Sequence, residues 1–179
     1  MFARALLVGI LLLAGLPQEA RKTARYGEVV IRPVNAVAGR TDGESQMEFL
    51  DTKGTRLCVI DYSSKDSQHG YQVVKAEWTR DQRFFVWSLQ SSGGHSPWHF
   101  PTRVFAVRTT RVYVLDDLVP GPGISRGDFQ LTGQNTFRSQ AYEDQRPFIM
   151  KLEQLEKLSL SGNEFHCKGG QTMNFGEPD

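Results

Sequence analysis

AEWTRDQRFFVWSLQSSGGHSPWHFPTRVFAVRTTRVYVLDD, residues Ala76 to Asp117, contains all three tryptophans of the chain and its clearest strand pairings. From Arg83 to Leu89 the residues are Arg-Phe-Phe-Val-Trp-Ser-Leu, aromatic and β-branched with no Gly or Pro, which is the composition of a strand. Side chains alternate across a strand, so Phe85, Trp87 and Leu89 share one face and Phe84 and Val86 the other. Apolar residues on both faces predict a strand covered on both sides, hence a central one. The polar tetrad Thr79-Arg80-Asp81-Gln82 turns the chain back onto Tyr71–Trp78, its hairpin partner. Downstream, Thr102–Arg108 and Arg111–Leu115 pair around Thr109-Thr110. Two threonines are not the Asn-Gly type of two-residue turns, so a type I turn with a bulge is expected there. The four strands predict an antiparallel meander whose second connection, Gly93–Pro101, is long.

Glu77-Trp78-Thr79-Arg80-Asp81-Gln82-Arg83, followed by the strand, resembles a WD40-like propeller blade of the TolB type, whose motif is W-S-P-D-G-[KR] before a strand. Trp78, Asp81 and Arg83 match; Arg80 and Gln82 stand where that motif has Pro and Gly, so the turn chemistry is altered. The continuation from Gly93 to Asp117 resembles exported bacterial proteins built around one such unit. A propeller needs at least four blades, and one segment here carries the signature, so the resemblance implies a single blade-like unit. It implies strand topology and no activity.

Outward from this stretch, Ala5 to Leu16 is an unbroken run of twelve residues preceded by Arg4 and ended by Pro17. Twelve is short of the roughly 20 needed to span a bilayer, and the pattern is that of a secretory signal peptide over residues 1–20. Cleavage after Ala20 and cleavage after Gly15 are both open. Residues 1–20 carry one basic and one acidic side chain, Arg4 and Glu19, so their removal leaves the net charge at +1. Near-neutral charge provides no electrostatic case for nucleic acid or for a membrane surface after cleavage. A mature chain of about 160 residues suits one domain with its own core.

Arg21–Arg25 reads as a frayed basic tail; Tyr26–Val34, Met47–Leu50 and Thr55–Tyr62 read as strands, with Pro33 placing the first at an edge or strand end. Asp51-Thr-Lys-Gly54 is a hairpin signal. Past Asp117, Val119-Pro-Gly-Pro-Gly123 excludes regular structure. Gly127–Glu143 reads as loop with a short strand or turn. Pro147–Leu158 alternates first as a strand and is expected to pass into a helical turn near Glu153. Leu158–Leu160 and Phe165–Cys167 are candidates for a last hairpin, with residues 169–179 a flexible tail. The expected architecture is one all-β domain over residues 26–168, a single antiparallel sheet or sandwich of about seven to nine strands.

The expected location, periplasmic or extracellular, gives the two cysteines, Cys58 and Cys167, an oxidising environment. A bridge between them would close about 110 residues, nominally about 4–5 kcal/mol through the unfolded state; the alternative is a buried thiol at Cys58 and an exposed one at Cys167. His95 and His99 are four apart, but Ser96-Pro97-Trp98 between them opposes the helix that lets such a pair share a metal, so no metal or cofactor is expected. Asp116-Asp117 is a poor acid/base pair because neighbours on a strand face apart. No Gly-x-Ser-x-Gly or His-Glu-x-x-His motif is present. A non-catalytic binding protein of the envelope is favoured, its partner a protein or a glycan, with a small secreted hydrolase as the alternative. The partner-binding candidates are His95, Trp98, His99 and Phe100, on a loop stiffened by Pro97 and Pro101 that either plugs the core or presents an aromatic anchor. The Ser/Gly-rich loop before an aromatic strand also resembles periplasmic lysozyme inhibitors, in which such a loop enters the enzyme's cleft.

Overall fold

The computed structural model describes residues 18–35, 43–93, 99–119, 123–142, 144–157 and 164–175. In chain order the strands are β1 Ala20–Ala24, β2 Gly27–Val34, β3 Glu44–Leu50, β4 Arg56–Asp61, β5 Tyr71–Trp78, β6 Phe84–Ser91, β7 Thr102–Ala106, β8 Arg111–Val114, β9 Gln130–Thr132, β10 Thr136–Gln140, β11 Pro147–Lys151, β12 Glu164–His166 and β13 Gln171–Asn174. Two short 3-10 segments, Asp116–Leu118 and Leu152–Lys157, complete the described elements. The strands form three sheets, ordered β1-β2-β3-β4-β13, β12-β8-β7-β6-β5 and β11-β10-β9.

The meander β5-β6-β7-β8 is the middle layer. Phe84, Val86, Val104, Ala106, Tyr113 and Leu115 pack toward the three-stranded sheet, against Phe129, Phe137 and Met150. On its other face Phe85, Trp87, Leu89, Phe105 and Val112 pack against Val29, Met47, Phe49, Cys58 and Ile60 of the first sheet. Residues Phe84 to Leu89 are all buried, as expected of a strand enclosed by two cores. The Trp87 indole donates to Tyr62 Oη at 3.0 Å, so its polar atom is satisfied where water is absent; burial pushes the Tyr62 hydroxyl up to about 12. Cys58 and Cys167 form a disulfide, with Cα atoms 5.0 Å apart.

The turn before β6 joins the layers. Asp81 accepts from Thr79 Oγ1 at 2.7 Å and from the Arg83 amide at 3.1 Å, and its second oxygen accepts from Asn135 of the β9–β10 turn at 3.0 Å. Gln82 is left-handed, φ 57°, a conformation glycine adopts more cheaply, and its side-chain oxygen accepts from the Arg25 amide at 2.7 Å. Thr110, φ 51°, closes the β7–β8 turn with its amide donating to Val107 at 3.4 Å.

Several expectations are corrected. There are thirteen strands in three sheets among the described residues, where about seven to nine in one sheet or sandwich were expected. The surplus strands are short and polar, and pairing rather than hydrophobic alternation creates them. Arg21–Arg25, read as frayed, is mostly β1, held to β2 with Arg21 opposite Val30. Part of the C-terminal tail is β13, parallel to β4 with Gln171 opposite Cys58; the disulfide four residues upstream delivers it there. Gly127–Glu143 contributes two strands, β9 and β10. The segment before Cys167 pairs as β12 with β8, and Leu158–Leu160 lie outside the described residues.

Candidate binding groove

The site is built where β5 departs from regular pairing. Val73 lies opposite Leu89 and Lys75 opposite Ser88, so Val74 is an extra residue in the ladder. A bulge of this kind re-aims a side chain, and Val74 is 40% exposed. Lys75 folds its ammonium to 5.0 Å from the centre of the Phe129 ring, a cation–π contact that covers the core edge.

Phe100 ends the long connection of the meander. Its amide donates to Ile124 at 2.7 Å, and Thr102 Oγ1 donates to its carbonyl at 3.0 Å. Behind it, the hydroxyls of Ser88 and Thr102 pair at 3.1 Å, both residues fully buried. Asp116 then ties three segments together: it accepts from the Thr102 amide at 2.8 Å, Arg103 Nη1 at 3.1 Å and the Ile124 amide at 3.4 Å. The Phe100 backbone is therefore fixed on both sides of the residue.

Gly127 is the third part of the floor. A Cβ there would lie 2.8 Å from Phe100 Cδ1 and 3.0 Å from Val74 Cγ2, so only glycine lets this loop lie against both. On either side Arg126 and Asp128 turn outward and pair bidentately, with two bonds of 2.8 Å. That pair holds the Asp128 carboxyl below its usual range. The result is an open groove of about 430 Å³, floored by Val74, Phe100 and Gly127 and walled by Lys75, Arg126 and Asp128. It offers apolar surface with charges at the rim, an arrangement that binds by shape and burial.

No protein-family model matches the chain, and comparison with curated proteins and with solved structures returned no match. The site is accordingly read from its own geometry.

Of the residues singled out from sequence, Phe100 lines the groove. His99 does not line it and is partly buried behind, near Asp116 and Arg103. Burial pushes the His99 imidazole below its usual range, Arg103 adds to this and Asp116 opposes it. His95 and Trp98 lie outside the described residues. Asp117 is exposed, whereas Asp116 carries the internal hydrogen bonds. Among the described residues no group of three or more His, Cys, Asp or Glu is arranged to hold a metal, and no helix is long and apolar enough to cross a membrane.

Sequence reasoning missed Val74, Lys75 and the Arg126–Asp128 loop. Val73-Val74 in a strand beside a lysine is an available signal, since two adjacent apolar residues break the period of two. Arg126-Gly127-Asp128 is unremarkable until Phe100 is seen beneath it.

Proposed function

We propose that this protein is an exported, non-catalytic binding protein of the bacterial cell envelope, and that it binds through the groove over Phe100. The observation that carries this reading is the groove's construction. Val74 is exposed by a bulge, Phe100 is pinned by its own backbone, and Gly127 leaves room above both. Holding apolar groups rigidly at the surface lowers the ordering cost of binding.

The test compares recovery of envelope proteins and glycans by the wild-type chain and by Val74→Arg. Val74 is exposed and outside the ladder, so the variant is expected to melt within about 2 °C of wild type. Loss of one specific partner in the variant supports the groove; equal recovery by both chains refutes it. Turnover in a hydrolase panel by the purified wild type would replace the binding reading with that of a small secreted hydrolase.

A further inference from the structure

The groove does not end at Asp128. Arg126 and Asp128 also wall a polar recess of about 260 Å³ along the three-stranded sheet, shared with Gln130, Arg138 and Gln140. Arg138 lies on the middle strand opposite Gln130, and Gln140, two residues on, shares its face. Arg126 is already bound to Asp128, and Lys75 lies 3.5 Å from Glu77. Arg138 is exposed, and its guanidinium has no hydrogen bond or ion pair among the described residues. An apolar slot thus opens onto a shelf whose uncompensated charge is positive.

The slot runs along β5, the edge strand of the middle sheet, through Val74 and Lys75, and the recess beside it reaches Gln130 of β9, the edge strand of the three-stranded sheet. Edges present backbone groups that an extended chain can use, with pockets for alternate side chains providing selectivity. A volume of about 430 Å³ is at the small end of ligand sites and suits one large side chain. A free guanidinium beside amide groups suits a carboxylate, which it meets with charge-assisted bonds.

We propose that the groove takes an extended acidic peptide segment, with one large apolar side chain over Phe100 and Gly127 and a neighbouring carboxylate on Arg138. This rests on the binding reading above and specifies its partner as a protein segment rather than a glycan.

The experiment titrates the ¹⁵N-labelled chain with three blocked pentapeptides: acetyl-Asp-Glu-Phe-Asp-Glu-amide, its analogue with Ala for Phe, and acetyl-Lys-Lys-Phe-Lys-Lys-amide. The acidic Phe peptide is expected to shift the amides of Val74, Gly127, Gln130 and Arg138 saturably. Replacing its Phe by Ala should weaken binding at least about tenfold, as loss of an anchor does. The basic peptide should bind at least about fivefold more weakly, and Arg138→Ala, at an exposed position, should erase that preference. Three results overturn the proposal: acidic-peptide binding weaker than about 10 mM, equal binding of the basic peptide, or an acidic preference that survives Arg138→Ala. Dodecanoate shifting the same amides while the peptides do not would assign the groove to an amphiphilic anion. Shifts that grow with protein concentration alone would assign it to a second copy. If the peptides fail but Val74→Arg still loses its envelope partner, the groove remains a binding site and only the acidic-peptide class falls. If both fail, both readings fall.

Discussion

Phe85, Trp87 and Leu89 on one face of β6 meet the five-stranded sheet, while Phe84 and Val86 on the other meet the three-stranded sheet. The first interface is crowded with rings. Phe49 lies 4.9 Å from Phe105 and 5.7 Å from Trp87, and Trp78 lies 5.0 Å from Phe85. It is closed covalently by Cys58–Cys167 and capped by Glu44, a buried carboxylate that accepts from Ser64, Gly70, Asn35 and Ser92. Its outer face carries a charge row in which Glu48 bonds Arg32 and Arg56. The second interface has fewer strands and no crosslink among the described residues. Its ties are Asp81 to Asn135 and Glu156 to Arg83 and Arg108. The groove lies along this less constrained seam. One side of the middle sheet is built to hold, and the other leaves edges on which a ligand can be seated.

The largest expected effect breaks the first side. Replacing both Cys58 and Cys167 by Ser should cost about 4–5 kcal/mol on the loop-entropy account, because the bridge spans 109 residues. Urea unfolding measures it. A loss below about 1 kcal/mol would show that the bridge is not what distinguishes the two interfaces.

Next come the matched core truncations. Trp87 and Phe137 are both fully buried, so each change to Ala should cost about 3–5 kcal/mol. Trp87→Ala should be the more costly, since it also leaves the buried Tyr62 hydroxyl without its indole donor. Native-state hydrogen exchange sharpens the contrast: β9–β11 amides should open at lower free energy than those of β3 and β4. The reverse order would invert the comparison.

Acid should act mainly on the first side. Burial opposes ionisation of Glu44, but hydrogen bonds from Ser64, Asn35 and Ser92 outweigh it and hold the carboxyl below its usual range. Glu48 is lowered chiefly by Arg32, with burial opposing and Arg56 adding. A carboxyl depressed in the folded state contributes stability that is present above its unfolded value, near 4.5 here, and is lost as pH falls through the folded value. The urea midpoint should therefore be flat from pH 7 to about 5 and fall below about 4.5, and Glu44→Gln should blunt the fall. An unchanged acid profile in that variant would remove Glu44 from the account.

A smaller effect of opposite sign comes from the turn of the middle sheet itself. Thr110 is β-branched yet left-handed, a conformation it holds at a cost. Thr110→Gly should raise stability by about 0.5–1 kcal/mol, or about 1–4 °C in melting temperature. A lower melting temperature would mean the side chain is needed there.

The smallest concerns the N-terminus. Glu19 accepts from Arg32 at 2.6 Å and from Arg21 at 2.8 Å, and Ala20 lies opposite Ile31 in β1. Cleavage after Ala20 would discard both residues; cleavage after Gly15 keeps them. On the export proposed above, the mature protein is expected to retain Glu19, although ion pairs at such exposed positions contribute little to stability. Intact mass of the secreted species decides, and a chain starting at Arg21 would show the pairs are dispensable.

The meander was legible because β6 is strongly apolar on both faces, whereas β3 was legible only over Met47–Leu50, since its first half, Glu44-Ser45-Gln46, is polar and read as loop. The passage from strand to helical turn near Glu153 was legible too, since Phe148 and Met150 alternate and Leu152 and Leu155 then take helical spacing. Strands β1, β9 and β13 were not. Ala-Arg-Lys-Thr-Ala and Gln-Thr-Met-Asn have no alternating apolar face; β1 is held by the adjacent β2 and β13 by β4, distant in sequence. Phe100 could be named as an aromatic on an unusual loop. Val74 was marked only by the adjacent apolar Val73, which breaks the period of two; Gly127 and Arg138 could not be named, because nothing in their local sequence marks them.

The sequence by itself determined which strands form the middle layer, that both faces of β6 would be covered, and that two cysteines were available to bridge. Those properties follow from alternation and composition, which act over a few residues. Only the tertiary structure decided that the layers are three, that Cys58 meets Cys167, and that a bulge at Val74 faces a glycine at position 127 across the ring of Phe100. Pairing partners and close approaches depend on contacts between segments tens of residues apart, and local sequence carries no record of them.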